Sequence, residues 1–327
     1  MSHLFGPSLL PCAFLALACT APTPTLVAQE REAPVGTIQL EGGRGRVTVV
    51  DGRLATDLGT PLRGLTLPVD FDWKLDDFEL MTTIAETTGL NTVHVFLENS
   101  DTVTGSKLTN ADALVSLTGQ AGLYLILSLG GGKEIGSFKA DKVTEFWSLY
   151  APRYAKSTHV LFEIQNAPEV TCEKAVQAST ITMERDAYQL IRGYAPDTHV
   201  IMFSTTTVPR QLAVEQAIDA VSDLVDFSNA SFAMHTDAKC TPVADLGGIF
   251  DAARAKRVPV LISAMPNEGW PAVVTACEAQ GVSWLHHRWL AYEPSLDTLF
   301  TEMEQAKLSW CPDQGTYPGP ASGCRKP

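Results

Sequence analysis

The chain of 327 residues is acidic, with 37 aspartates and glutamates against 24 lysines and arginines and a formal net charge of −13. Because no stretch clusters basic residues, nucleic acid and anionic membrane surfaces are excluded as expected partners. An apolar fraction of 45% with 19% charged residues excludes a disordered chain and favours one large globular domain, or at most two. We expect a monomer that needs no cofactor.

The first 19 residues have the features of an export signal. A short apolar stretch from Phe14 to Ala18 ends in small residues immediately before Cys19. Two outcomes stay open, namely acylation of Cys19 as in bacterial lipoproteins, or simple secretion. Residues 20–36 are rich in Pro and Thr, which predicts a flexible tether. We therefore expect an exported protein, at the bacterial cell surface or in the periplasm if it is anchored through a lipid at Cys19 and secreted otherwise, with no other contact to a membrane.

From residue 37 onward the pattern is a hairpin followed by repeated strand, loop and helix. Asp51-Gly52 lies between two short alternating segments, which predicts a tight β-hairpin turn. Eight apolar, β-prone runs follow, at residues 62–68, 90–97, 122–130, 159–166, 199–206, 226–235, 258–265 and 282–290. Helical periods lie between these runs, and another follows the last one, at Leu296, Leu299, Phe300 and Met303.

Eight near-continuous apolar strands that alternate with amphipathic helices over roughly 250 residues are typical of an α/β fold of the (β/α)8 barrel (TIM barrel) type. We assign the barrel to residues 37–310, with the short hairpin at its N-terminal end. A doubly wound open sheet is the rival fold. No glycine-rich phosphate loop follows the first strand, however, and Gly130-Gly131-Gly132 lacks both the spacing and the Lys-Ser/Thr pair of a P-loop.

Export would permit disulfides, and five cysteines follow Cys19. Cys311 and Cys324 bracket the Pro- and Gly-rich tail of residues 311–327 and are a candidate staple of that tail. Cys172 and Cys240 each lie five residues after a predicted strand end, so a disulfide across the mouth of the barrel is a second candidate. Cys277 lies in an apolar helical run and is predicted to be a buried free thiol.

Active sites of such barrels lie where the strands end. Several strand ends here match the motifs of one enzyme family in register and order, namely "GLNTVHVFL" (89–97), "VLFEIQNAP" (160–168), "SFAMH" (231–235) and "VPVLISAM" (258–265). On these motifs the chain, over about residues 45–290, resembles glycoside hydrolase family 5, the cellulase-like retaining glycosidases.

The resemblance implies chemistry by two carboxyl groups about 5 Å apart. In the family the acid/base is the Glu of an Asn-Glu-Pro motif and the nucleophile is the Glu that ends the seventh strand, and the matching positions here are Ala167 and Ala264. Supporting positions differ too, since His94, Gly130 and His287 stand where the family has Arg, His and Trp. The chain therefore looks like a divergent member that lacks both catalytic glutamates.

The first hypothesis is a pseudoenzyme that binds a polysaccharide, an oligosaccharide or a cell-surface partner in the former active-site cleft. Asn166 and His235 match family positions that hydrogen-bond sugar, and tryptophans on strand-end loops could stack on a pyranose. The expected ligand contacts are Asn166, His235, His94, His287, Trp73 and Trp270. Glu163, four residues before Ala167, is expected inside the barrel in a structural role, paired or hydrogen-bonded. A purely structural surface module is a third hypothesis.

The second hypothesis is an active carbohydrate hydrolase with relocated groups. Glu169 lies two residues beyond the former acid position and Glu98 shares the inward parity of His94, so the two carboxylates could form a new acid/base pair. The alternative for both is a solvated loop carboxylate. A metal site is the other route to hydrolysis, with an open position for water. Its candidate ligands are His94, His235, His287 and Asp237.

Overall fold

The computed structural model describes residues 44–67, 78–131, 136–169, 175–205, 211–236, 243–265, 269–286 and 301. The predicted hairpin is confirmed, because β1 (Thr48–Val50) pairs antiparallel with β2 (Arg53–Ala55). Asp51 and Gly52 between them both have positive φ, 50° and 69°, as a tight two-residue hairpin turn requires. No helix in the described part of the chain has the length and apolar character to cross a membrane.

Eight parallel strands close into a barrel in chain order, which confirms the predicted (β/α)8 fold. The last strand pairs with the first through Trp284–Arg63, Leu285–Gly64 and His286–Leu65. Each strand overlaps one of the eight predicted runs. The strands are β3 (Arg63–Leu67), β4 (Thr92–Asn99), β5 (Tyr124–Gly130), β6 (Val160–Glu163), β7 (Val200–Thr205), β8 (Ala230–His235), β9 (Val260–Ala264) and β10 (Ser283–His286).

Seven described helices connect the strands and surround the barrel. They are α1 (Phe78–Thr88), α2 (Leu108–Gln120), α3 (Ala140–Tyr154), α4 (Ala178–Tyr194), α5 (Gln211–Val221), α6 (Val243–Ala255) and α7 (Trp270–Gln280). Gly281 ends α7 in the left-handed conformation, with φ of 65°, and its N–H donates to the carbonyl of Glu278. The predicted signal (1–19), tether (20–36), tail (311–327) and the helix around Leu299 lie outside the described residues.

Period-2 alternation divides the buried side chains into two cores. Tyr124, Ile126, Leu161, Ile201 and Leu261 fill the barrel interior with other strand residues. The outward side chains of the same strands pack against the helices in a larger cluster, which includes Phe162 and Trp147. Because a strand buried on both faces needs apolar residues at successive positions, the strands are nearly continuous apolar runs.

The hairpin closes the amino-terminal end of the barrel. Leu54 of β2 belongs to the interior core with Leu62 and Leu285. Ser283 Oγ donates to the carbonyl oxygen of Leu54 at 3.1 Å and accepts the N–H of Leu62 at 2.9 Å. The carboxyl ends of the strands are therefore the end at which chemistry or binding is expected.

Cys277 is confirmed as a free thiol buried in α7, and burial raises its pKa above the ordinary range. A raised thiol pKa and full burial describe a packing residue rather than a reactive one. The cysteines of both candidate disulfides, Cys172, Cys240, Cys311 and Cys324, lie outside the described residues.

Candidate functional site

The end of β6 is an irregular turn held by main-chain hydrogen bonds. Ala167 has a left-handed backbone with φ of 49° and is buried. Its N–H donates to the carbonyl of Ser204 at 2.8 Å, and its own carbonyl accepts the N–H of Gly136 at 3.2 Å. For a residue with a Cβ this conformation costs about 1–2 kcal/mol. The turn is therefore fixed by contacts of its backbone, and the side chain at this position is a methyl group.

Ala264 ends β9 at the same end of the barrel. It lies in register with His235 of β8, and its carbonyl accepts the N–H of Thr236 at 2.9 Å. Ala264 is 9% exposed and also presents a methyl group. Neither Ala167 nor Ala264 can donate, accept or hold a proton through its side chain.

Below these positions a buried ion pair crosses the barrel interior. His94 Nε2 donates to Glu163 Oε2 at 2.6 Å, and His94 Nδ1 lies 3.0 Å from the hydroxyl of Thr66. Burial favours the neutral form of Glu163, but the charge and hydrogen bond of His94, with the hydroxyls of Ser204 and Ser128, outweigh burial and lower its pKa to about 2. The structural role predicted for Glu163 is confirmed.

The same two hydrogen bonds leave His94 unavailable to a ligand or a metal ion. His94 is 0% exposed, and both ring nitrogens are hydrogen-bonded within the barrel. The prediction that His94 contacts a glycan or a metal ion is therefore wrong.

Glu98 does not face the barrel interior. The register between β4 and β5 shifts between Phe96 and Asn99, which breaks the alternation from which the parity of Glu98 was predicted. Its carboxylate accepts the hydroxyl of Tyr150 on the outer helix α3 and the N–H of Thr104 at 2.7 Å. Both predicted alternatives for Glu98, an inward catalytic group and a solvated loop carboxylate, are wrong because it is buried against α3.

Glu169 is likewise buried and bound to backbone. The N–H of Gln177, the residue that precedes α4, donates to both carboxylate oxygens, at 3.0 and 3.2 Å. A carboxylate at a helix amino terminus is favoured by the helix dipole. Glu169 therefore joins the loop after β6 to the start of α4 and is not a solvated loop residue. The contacts of Glu98 and Glu169 do not bring the two carboxylates together as an acid/base pair.

Ser204, which the sequence analysis did not single out, is the side chain of β7 that reaches the strand ends. The register of β7 against β8 shifts between Met202 and Thr205, and Phe203 in this bulge has φ of 55°. Ser204 Oγ lies 3.0 Å from His235 Nε2 and 3.1 Å from Ser263 Oγ. Simple alternation from Ile201 would place Phe203, and not Ser204, on the inward face, and no pattern in the sequence marks the bulge.

Two predicted contacts remain at the mouth of the barrel. His235 ends β8 and is 7% exposed, with Ser204 at its Nε2. Asn166 is half-buried, its N–H donates to the carbonyl of Leu129 at 2.8 Å, and its Oδ1 has no hydrogen-bond donor among the described residues. Oδ1 of Asn166 is itself buried, and an amide and an imidazole are both groups that bind hydroxyls.

Trp270 is not an open platform for a sugar ring. It begins α7, is 4% exposed and meets the ring of His286 edge-on, with centroids 4.6 Å apart. The prediction that Trp270 stacks on a pyranose is wrong, because its side chain is 4% exposed and belongs to the outer core. Trp73, His287 and Asp237 lie outside the described residues. Within the described ranges, no three His, Cys, Asp or Glu side chains converge as a metal site.

Comparison with known proteins identifies the family. The family model "Cellulase (glycosyl hydrolase family 5)" matches residues 71–311, well over half of the chain. No protein with a curated description matches.

Several solved structures share the fold. The mannohexaose complex of Thermomonospora fusca β-mannanase is 18% identical, covers 77% of this chain and 86% of its own, and has a TM-score of 0.61. The E355Q variant of Thermobifida fusca endoglucanase Cel5A with cellotetraose is 18% identical, with coverages of 76% and 87% and a TM-score of 0.56. A β-glucanase of Saccharophagus degradans is 15% identical, with coverages of 81% and 94% and a TM-score of 0.61. The chain belongs to glycosyl hydrolase family 5.

Proposed function

We propose that this protein binds a glycan at the carboxyl ends of its barrel strands and does not hydrolyse it. Membership of a glycoside hydrolase family supports carbohydrate as the ligand class. Two proteins of the same fold were solved with mannohexaose and with cellotetraose, which makes β-linked oligosaccharides the first ligands to test. A cell-surface glycan or glycosylated partner is the natural ligand if the protein is exported as its first residues predict.

The observation that carries the proposal is the state of the carboxyl groups at the strand ends. Hydrolysis with retention needs two of them about 5 Å apart, one to protonate the leaving oxygen and one to attack the anomeric carbon. Methyl groups occupy Ala167 and Ala264, the positions that match the family's two glutamates. The described carboxylates nearby, Glu98, Glu163 and Glu169, are bound to protein donors instead.

Binding would use the polar groups that remain at the mouth. Asn166 is half-buried at the end of β6, and His235 offers an imidazole that is hydrogen-bonded to Ser204. Sugar hydroxyls both donate and accept, so they suit this pair. Trp73 and His287, which lie outside the described residues, remain predicted contacts. The replacement of two carboxyl side chains by methyl groups also removes negative charge from the cleft, which suits a neutral polyol.

The test is calorimetry and a product assay on the same preparation. We expect saturable binding of mannohexaose or cellotetraose to the full chain, with no release of reducing sugar. Asn166→Ala and His235→Ala should each weaken binding roughly 3- to 10-fold, the usual effect of one lost hydrogen bond. Ser222→Ala, on the exposed turn after α5, is the matched control and should bind like the wild type.

Turnover would overturn the proposal in a specific way. Hydrolysis that disappears in Glu169→Gln or Glu98→Gln, while circular dichroism shows both variants folded, would establish relocated carboxylates. Hydrolysis that disappears only with a chelator would establish a metal site. Absence of binding to any oligosaccharide would leave a structural surface role.

A further inference from the structure

A small pocket lies at the amino-terminal end of the barrel, opposite to the carboxyl ends of the strands where we expect a glycan. It is lined by Gly52 and Arg53 of the hairpin, by Phe250 and Arg254 of α6, and by valines at or just before the starts of β9 and β10. It has about 230 Å³ of unfilled space, part of which is open solvent. Two of its lining side chains are therefore arginines, in a chain whose formal net charge is −13.

Two glycines allow the hairpin and both arginines to lie close to their neighbours. A Cβ atom on Gly52 would lie 3.6 Å from Cα of Arg254, so the hairpin turn lies directly beside α6. A Cβ atom on Gly281, which ends α7, would lie 3.4 Å from Cδ of Arg53. Nη2 of Arg254 donates to the carbonyl oxygen of Gln280 at 3.2 Å. Both arginine side chains therefore reach the carboxyl end of α7.

Both arginines carry a buried donor that no protein group uses. Nε of Arg53 and Nε of Arg254 are closed to solvent, and neither has an acceptor among the described residues. Most buried N–H groups in folded proteins are hydrogen-bonded, so an acceptor is expected at both. Arg53 has no ion pair within the part of the chain that the structure describes. Nη1 of Arg254 lies 3.2 Å from an oxygen of Asp251, but that carboxylate is 66% exposed, and such a pair is weak. The pocket thus holds positive charge with little compensation.

The end of α7 accounts for Arg254 but not for Arg53. A cation at the carboxyl end of a helix is favoured by the helix dipole, and Arg254 fits that role because it donates to the main chain and the side chain of Gln280. Arg53 donates to no carbonyl oxygen of α7 in the described structure. The carbonyls of Cys277 and Glu278 accept main-chain N–H groups that follow the helix. The guanidinium of Arg53 therefore lacks a partner that the fold itself provides.

We propose that this pocket binds one oxyanion group, a phosphate, sulfate or carboxylate, between Arg53 and Arg254. A planar guanidinium presents its N–H groups as a fork that matches such oxygens, and hydrogen bonds to charged groups are roughly twice as strong as neutral ones. The bound oxygens supply acceptors for the two Nε–H groups and compensate the charge of Arg53. The ligand is a free ion or the charged group of a larger molecule, such as a sugar phosphate or a uronic acid. The site is separate from the cleft and does not rest on the proposed function.

The test observes the arginine Nε–H signals by nuclear magnetic resonance, in the full chain labelled with nitrogen-15 at arginine. Comparison with Arg53→Lys and Arg254→Lys assigns the two signals, because lysine lacks this group. We expect inorganic phosphate to shift both signals saturably and with one common midpoint, whereas sodium chloride at equal ionic strength should not. Saturation distinguishes a binding site from general screening by salt. Shifts that do not saturate, or that chloride reproduces, overturn the proposal.

Arg53→Gln is the decisive variant, because it removes the charge without removing a hydrogen bond of the fold. Its phosphate affinity, read from the Arg254 signal, should fall at least about 10-fold, as expected for lost hydrogen bonds between charged groups. Arg185→Gln is the matched control, since Arg185 pairs with Asp223 at the surface of α4, and it should bind phosphate like the wild type. An unchanged affinity in Arg53→Gln, or an equal loss in both variants, contradicts the proposal.

Two further measurements complete the test. If circular dichroism shows that Arg53→Gln does not fold, Arg53→Lys replaces it, because lysine keeps the charge but lacks the fork and should still weaken phosphate binding. Titration of the wild type with mannose 6-phosphate and with galacturonate compares the two sources of the oxyanion. Tighter binding of the first assigns the pocket to phosphate groups, and tighter binding of the second assigns it to carboxylates. Saturation by neither of them, nor by inorganic phosphate, overturns the proposal.

Discussion

Two buried glutamates lie on opposite sides of the barrel wall, and one is ionised while the other is neutral. Glu163, inside the barrel, is paired with His94 at 2.6 Å and has a pKa lowered to about 2. Glu184, in the outer core, has no completed hydrogen bond and a pKa raised to about 8. Both are equally inaccessible to water. The comparison teaches that a buried carboxyl group is ionised or neutral according to its partners, not according to its depth.

The largest expected effect is the dependence of stability on pH through Glu184. Its folded-state pKa of about 8 lies above the ordinary value of 4.5, so the folded state holds the proton more tightly than the unfolded state does. The resulting stabilisation is full below pH 4.5 and is lost as the pH rises through 8, by on the order of 5 kcal/mol. Urea unfolding at a series of pH values measures it. Glu184→Gln should flatten this part of the profile, and an unchanged slope in that variant would contradict the assignment.

Removing the partner of Glu163 is the second way to test the comparison. His94→Leu leaves a carboxyl group buried without its counter-charge, and we expect a loss of about 3–5 kcal/mol in the free energy of unfolding. Chemical denaturation provides the measurement. The double variant His94→Leu, Glu163→Leu is the control, and it should recover much of the loss because no charge is left unpaired. A double variant as unstable as the single one would show that packing, not charge, is responsible.

Glu163 should determine how the free energy of unfolding changes with pH in the acid range. Its folded-state pKa of about 2 lies below 4.5, so its contribution is present above pH 4.5 and is lost as the pH falls through 2, by about 3 kcal/mol. Glu163→Gln should reduce the dependence of the free energy of unfolding on pH in the acid range and leave the dependence in the alkaline range unchanged. The reverse pattern would mean that the two carboxyl groups have been assigned to the wrong pH ranges.

The smallest effect compares the two methyl-bearing strand ends. Ala167→Gly relieves a left-handed backbone, and after the flexibility that Gly adds to the unfolded chain we expect a gain of up to about 1 kcal/mol. Ala264→Gly, in the last position of a strand, should instead lose about 0.5–1 kcal/mol. Thermal unfolding of both variants measures the difference. Equal shifts of the same sign would show that the Ala167 conformation carries no strain.

Regular alternation explains which parts of the site were predictable from the sequence. It placed Glu163 inside the barrel correctly and predicted eight strands and the hairpin, because apolar periodicity reports the faces of regular elements. Alternation predicted the wrong face for Glu98 and did not identify Ser204. Both residues lie at shifts in strand register, where the alternation of inward and outward side chains is broken. The prediction for Trp270 was wrong for a related reason. Trp270 was assigned to a loop, whereas it packs at the start of a helix.

The residue types at the strand ends could be assigned from the sequence for a different reason. Ala167 and Ala264 were assigned to the family's two glutamate positions from their place within motifs, and that assignment stays a prediction. Export, acylation of Cys19 and both candidate disulfides remain predictions, because they concern residues outside those the structure describes.

The backbone turn at Ala167 has a consequence for how such a protein can change over time. Its two hydrogen bonds, to Ser204 and from Gly136, are made by main-chain atoms, so the fold does not depend on the side chain at that position. A substitution there can therefore leave the hydrogen bonds of the turn in place. The side chain at this strand end can thus change while the main-chain contacts that form the turn stay the same.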